Sequence, residues 1–471
     1  MTQANDYRSV QSELNNKSCS LCLAKWTQVT LHLQTGMTHS CHHVPAHKIP
    51  LQEIEVDPSA LHNTSYKKEK RKQMLEGERP EECDYCWNIE DSDKDNVVFS
   101  DRVMKSAEDW SYPYFSEITN NPFTKNINPK YLEVSFSSVC NFKCSYCLPE
   151  VSSKWMEEIK QFGPYPTSTR FNNLDVLERE NRLPIPHREH NPYVEAFWKW
   201  WPELYPSLQV FRITGGEPLM CKDTFKVLDY IIENPNPKLE LNINSNLCVP
   251  DSMIDSLIEK MKRIQSEGMI KEFKLYTSCE AKGAKAEYIR HGLDYNKWLD
   301  NCHRILNEIP QSKLTNMATY NALSVTTYKE FMQDFIKFRY EFNTGPERRN
   351  PVSMDAAYLR WPQHQSVFIL DHSYLNIMKD QVTYMYLNKE QIDWPPLCGM
   401  GFYEHEITRM RRNYQVFQEK LSESYKHIDE VNRNRADFYK FVTEHDRRRG
   451  TDFLKTFPEM EEFYHVCKAL V

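Results

Sequence analysis

The sequence has no long apolar run and no excess of positive charge. Its mean hydropathy is −0.70 and its first twenty residues are polar, so neither a spanning helix nor a cleaved leader is expected, and the chain reads as soluble and cytoplasmic. Lys and Arg number 59 against 66 Asp and Glu, a formal charge of −7. That balance leaves no basic footprint for nucleic acid and no polybasic patch for a membrane. Internal repeats and low-complexity tracts are missing too, and 471 residues suffice for two or three domains with a sizeable core.

The chain holds 14 cysteines, yet none lies between Cys86 and Cys140. In a reducing compartment such a set is not a disulfide framework, and its clustering points to metal or cluster ligation. Cys221, Cys248, Cys279, Cys302, Cys398 and Cys467 stand alone and read as small buried thiols. The others fall into two groups, Cys19 to Cys86 and Cys140 to Cys147.

The second group organises the chain. Tyr131 to Ser138 alternates bulky and β-branched residues with polar ones, as a buried strand does, and then breaks into a loop carrying Cys140, Cys144 and Cys147 at spacing C-x3-C-x2-C. A fourth cysteine is lacking here. Three thiolates hold three irons of a [4Fe-4S] cluster and leave the fourth open to a ligand with its own donor atoms. About seventy residues on, a strand over 208–214 ends in Gly215-Gly216-Glu217-Pro218. Two glycines let backbone approach a ligand, and a carboxylate beside them accepts from an ammonium group.

These motifs resemble those of the radical S-adenosylmethionine (SAM) superfamily, in which an aromatic, here Tyr146, precedes the last cysteine. The resemblance implies a partial (β/α)6 barrel, an α/β fold, and the rest of the central segment agrees with it. Strands over 239–244, 272–277 and 314–325 alternate with helices over 224–233, 252–265, 296–309 and 328–342, and 352–359 supplies a sixth strand. Polar residues recur at the strand ends, where parallel α/β folds place ligands. By resemblance, Gly215, Gly216, Glu217 and Pro218 receive the SAM amino group and Tyr146 lies near the adenine. Asn244 and Asn246 approach the ribose, and Ser278, Glu280 and Arg290 the ribose or carboxylate. The implied reaction is reductive cleavage of SAM to a 5′-deoxyadenosyl radical that abstracts hydrogen from substrate, with an external reductant such as flavodoxin or ferredoxin.

Before the barrel, a strand from Trp26 leads to a turn at Gly36, and a hairpin there brings Cys22 and Cys41 together. A charged helix from Ser65 to Gly77 leads into Cys83-Asp-Tyr-Cys86. This order resembles a twitch domain, half of the SPASM auxiliary-cluster module, and implies one auxiliary [4Fe-4S] cluster on Cys22, Cys41, Cys83 and Cys86. Cys19 is a spare, and the competing reading is a structural zinc site on Cys19, Cys22, Cys83 and Cys86 with His39, His42 or His43. The expected organisation is a twitch-like domain over 1–125, a barrel over 126–345, and a last barrel strand with a helical extension over 346–471. A Pro-rich excursion over 163–192 reads as a surface insertion or lid. Trp361-Pro, Trp394-Pro-Pro and Cys398-Gly punctuate a loop before a charged helical tail from His405. That insertion and tail offer surface for a peptide or protein substrate undergoing oxidative modification. The alternatives are dehydrogenation of a small metabolite and, outside catalysis, a zinc scaffold.

Overall fold

The structure is a computed structural model that describes residues 6–92, 98–342, 351–390 and 400–471. Its strands are β1 Gln28–His32, β2 Met37–His39, β3 His47–Lys48, β4 Tyr131–Ser135, β5 Lys143–Cys144, β6 Val210–Thr214, β7 Asn236–Asn244, β8 Ile270–Thr277, β9 Arg290–His291, β10 Lys313–Tyr320 and β11 Val352–Tyr358. Nine form one sheet in the order β11-β10-β8-β7-β6-β4-β1-β2-β3. All pairings from β11 across to β1 are parallel, so the fold is mixed α/β with a large parallel sheet.

Alternation decides which face each residue takes. Leu132, Val134, Phe211, Ile213, Leu241, Ile243, Phe273 and Leu275 are buried in the main core. They pack beneath the helices Lys222–Glu233, Asp251–Ser266, Tyr295–Glu308 and Tyr328–Phe342, whose apolar residues recur at three and four spacing. The opposite face is polar: Glu133 and Arg212 are in register there, and Arg212 Nε donates to Asn244 Oδ1 at 3.1 Å. No described helix is long and apolar enough to cross a membrane.

Several expectations change. The boundary near residue 125 is not a break in the sheet, because β1 pairs residue for residue with β4 from Gln28↔Tyr131 to His32↔Ser135. Trp26 belongs to a helical turn, Ala24–Thr27, and the strand begins after it. The strand expected over 314–325 stops at Tyr320, and residues 321–327 form turns. The excursion over 163–192 is not loose surface: Tyr165 and Phe171 are buried against Trp155 and Phe441, and Ser168 and Thr169 bind Asp437. Its aromatics were hidden among prolines and charges. The helix Pro192–Leu204 went unread because Pro202 near its end reads as a breaker, although its buried residues keep three and four spacing, and Leu375–Leu387 because the surrounding loop residues obscured it. The tail is two long helices, Glu404–Ser422 and Ile428–Arg449, separated at 423–427. Trp394 and Cys398 lie outside the described residues.

Candidate cluster and cofactor site

Cys140, Cys144 and Cys147 are half-buried on the loop after β4. Burial raises the Cys147 thiol to about 12 and lifts Cys140 and Cys144 as well, although the Arg290 guanidinium pulls Cys144 back. Thiols that resist ionisation become thiolates only when a strong cation shares the site, which a metal centre does. The loop is pinned from both sides. Cys144 is in register with Arg290 across the β5–β9 pair, and Arg290 Nη1 reaches Cys144 Sγ at 3.7 Å.

The Gly-Gly-Glu-Pro turn meets this loop directly. Gly216 N–H donates to Ser137 O at 3.2 Å and Glu217 N–H to Val139 O at 2.7 Å. A Cβ on Gly216 would sit 2.3 Å from Val139 O, and Gly215, at φ +116°, has Ser135 Oγ 2.4 Å from where its Cβ would be. The glycines therefore serve a backbone-to-backbone approach within the chain. Pro218 is buried and opens a turn of 3-10 helix. The Glu217 carboxylate faces inward and accepts from Asn246 N–H (2.6 Å), Ser245 Oγ (2.8 Å) and Leu219 N–H (3.0 Å). Burial outweighs those bonds and raises the carboxyl to about 7.

Asn246 also donates to Asn141 Oδ1 at 2.8 Å, tying the end of β7 to the cysteine loop, while Asn244 is held by Arg212. Ser278 is half-buried just past β8. Glu280 and Arg290 form a buried ion pair at 2.8 Å, and Tyr146 Oη donates to the other Glu280 oxygen at 2.8 Å. These three side chains are thus bonded to one another behind Cys144. Ser135 Oγ and Ser145 Oγ, both buried beside the loop, have no hydrogen-bond partner among the described residues.

In the amino-terminal part, Cys22, Cys41, Cys83 and Cys86 line one pocket, whereas Cys19 is exposed and its thiol points at Gly77 O. Burial raises Cys83 to about 11 and Cys86 to about 12. Among the described residues, no three cysteine sulfurs fall within 4.8 Å of one another. Zinc, with Zn–S near 2.3 Å, would hold its thiolates about 3.8 Å apart, while an iron–sulfur cube spaces them about 6 Å. Beyond burial, Cys41 raises the proton affinity of Cys22 and Cys86, and Cys22 that of Cys83 and Cys86, so the four thiols share one space. Cys41, His42 and Asp101 do converge. The Lys105 ammonium fills that space, 2.9 Å from Cys41 Sγ, 3.0 Å from His42 Nδ1 and 3.4 Å from Asp101. Lys25 approaches Cys83 Sγ at 3.6 Å and pairs with Glu82. His39 donates from Nδ1 to Cys41 O and accepts at Nε2 from His32, and His43 stacks on Tyr85 while bonding Asp101.

The sequence did not reveal the helix Ile428–Arg449 as part of this region. The Arg449 side chain is fully buried, donates to Lys143 O at 2.8 Å, lies 4.7 Å over the Trp155 ring and pairs with Glu158. Trp155 Nε1 in turn donates to Cys144 O at 2.8 Å. Arg447-Arg448-Arg449 ahead of Gly450 reads as the usual basic end of a helix. Nothing in such a run marks one guanidinium for burial.

No family model matches the chain, and no solved structure matches it. The GTP 3′,8-cyclase of Pasteurella multocida is 32% identical over 108 residues, which is 23% of this chain and 23% of that protein. The enzyme of the same name from Yersinia pestis is 31% identical over 106 residues, 22% of this chain and 23% of its own. That of Nautilia profundicola is 28% identical over 116 residues, 25% and 27% respectively. The match spans about a quarter of the length of these curated relatives.

Proposed function

We infer the activity of this chain from one premise: it is a radical SAM enzyme, with [4Fe-4S] cluster and S-adenosylmethionine as its cofactors. Cys140, Cys144 and Cys147 would hold the catalytic cluster, and Cys22, Cys41, Cys83 and Cys86 an auxiliary one in a twitch-like segment ahead of the partial barrel. Bound together, cluster and SAM supply a reductively generated carbon radical able to take hydrogen from an unactivated C–H bond. The chain's own residues do the rest. Glu217, with three donors on its carboxylate, fixes the Gly215–Pro218 turn against Ser245 and Asn246 rather than reaching outward. Asn141 and Asn246 lock the cysteine loop to the strand ends, and Arg290 and Tyr146, both on Glu280, back Cys144. Lys105 donates toward Cys41, and Lys25 toward Cys83, whose thiol it pulls back against burial.

The observation that carries this reading is the direct bonding of Val139 to Glu217, which joins two motifs far apart in sequence into one site. The substrate we infer is small and polar. Part of the insertion over 163–192, at Ser168 and Thr169, is bonded to Asp437 of the carboxyl-terminal helix, and that part offers no free surface for a peptide. A relative acting on GTP agrees with a small substrate. An external reductant completes the reaction, and the auxiliary cluster would accept an electron in a net oxidation. Anaerobically reconstituted protein should contain about eight iron atoms per chain, falling to about four in Cys144→Ala with loss of 5′-deoxyadenosine formation. Persistence of that product in the variant would overturn the assignment.

A further inference from the structure

The chain leaving Cys147 forms one wall of a cavity of about 680 Å³, through Leu148, Pro149 and Glu150. The opposite wall comes from the excursion, and the exposed ring of Trp361, at the end of the last strand's loop, also lines it. The cavity is therefore bounded by the cluster loop on one side and the two ends of the parallel sheet's connections on the other.

Its charges do not cancel. Arg182 takes both carboxylates: it binds Glu150 in two bonds of 2.9 and 3.0 Å and Glu180 at 2.8 Å. Arg170 and Arg179 also line the cavity, are exposed, and have no ion pair among the described residues. Three guanidiniums against two carboxylates leave one positive charge in excess, carried by Arg170 and by Arg179, whose Nε donates to Asp175 O at 3.1 Å and whose terminal nitrogens bond no carboxylate among the described residues. Arginine's planar fork suits bidentate binding of phosphate or carboxylate.

One buried side chain joins the cavity to the cluster loop. Asn172, 6% exposed, donates from Nδ2 to Cys147 O at 3.3 Å, but its Oδ1 is buried without any donor. Its backbone is also in the left-handed region, at φ +56°. The cavity thus offers cations for an anion, with an aromatic face at the rim.

We propose that this cavity binds the anionic group of the substrate, a phosphate ester or a carboxylate, on Arg170 and Arg179. The inference rests on the radical SAM reading only in naming the ligand as substrate. Its test is equilibrium binding by calorimetry to the full-length holoprotein, with inorganic pyrophosphate for the phosphate source and glutarate for the carboxylate source. Each titration is run at constant ionic strength set by chloride. Wild type should bind at least one probe, and Arg170→Gln/Arg179→Gln should weaken it about tenfold or more. The probe so affected identifies the group. Absence of binding to wild type, or equal binding to the double variant, overturns the proposal. Both side chains are exposed, so the variant should keep the wild-type urea midpoint and iron content, which guards against misfolding. Formation of 5′-deoxyadenosine by wild type without substrate tests the radical reading separately. If that fails while probe binding holds, the site stands and the chemistry does not.

Discussion

Replacing Glu158 by Gln tests whether the carboxyl-terminal helix really secures the cysteine loop. The Glu158 side chain is 2% exposed and faces the Lys143 ammonium at 2.7 Å and the Arg449 guanidinium at 3.3 Å, with Tyr165 Oη donating at 2.8 Å. Burial alone would raise its carboxyl. Arg449, Lys143 and Tyr165 together overcome that and lower it from 4.5 to about 2. That difference corresponds to roughly 3 kcal/mol of preference for the ionised form in the folded state. Breaking a buried pair from one side, which strands the other charge, costs about 3–5 kcal/mol by a separate route, so the two figures agree. The sign follows from the depressed folded value. The stabilisation is fully present above pH 4.5 and is lost as pH falls toward 2. Urea denaturation should therefore show Glu158→Gln less stable by about 3 kcal/mol at pH 5 to 8, with the deficit shrinking below pH 4.5. Because Arg449 also holds Lys143 O, the variant should lose iron from the cysteine loop faster in the presence of a chelator. A deficit under about 1 kcal/mol at pH 7, or one that grows on acidification, would refute the account.

Two further outcomes concern single atoms. Gly216→Ala would drive a Cβ to 2.3 Å from Val139 O, a backbone atom that cannot swing away, so the cysteine loop must separate from the turn. Expect a loss of several kcal/mol on unfolding and reduced iron loading, whereas wild-type values of both would show that the two segments do not pack this way. Lys105→Gln removes a cation 2.9 Å from Cys41 Sγ, and a positive charge beside a cluster thiolate favours the reduced state. The midpoint potential of the proposed amino-terminal cluster, followed by electron paramagnetic resonance in a redox titration, should move negative, and no movement would detach Lys105 from that site.

What could be seen in the sequence was what depends on local order. The parallel strands were legible because each alternates and is followed by an amphipathic helix, and the cysteine loop because its spacing is short. The helix Tyr328–Phe342 emerged at its full length since its aromatics keep strict three and four spacing. What stayed hidden was pairing between distant segments. Nothing in Gln28–His32 says that it will extend the sheet beside Tyr131–Ser135 rather than close a domain of its own, since a strand's partner is set by tertiary packing. The same holds for Glu217, whose carboxylate accepts from Ser245, Asn246 and Leu219, contacts that depend on the turn after β7 and on no local pattern around the two glycines.

The placement of charge explains why these hidden contacts matter. Three neutral thiols with raised proton affinity could be buried at little electrostatic cost, but a loop meant to deliver thiolates must keep cations close and must not move when they ionise. Arg290 and Arg449 meet both needs from opposite ends of the chain: each guanidinium is buried, each is paired to a carboxylate, and each lowers Cys144 through its field. Each also bonds the loop, Arg290 at Cys144 Sγ and Arg449 at Lys143 O. Were the carboxyl-terminal helix only a cover, its last turn could contact the loop through apolar side chains. A fully buried guanidinium, with its large desolvation penalty, makes sense where its charge is used.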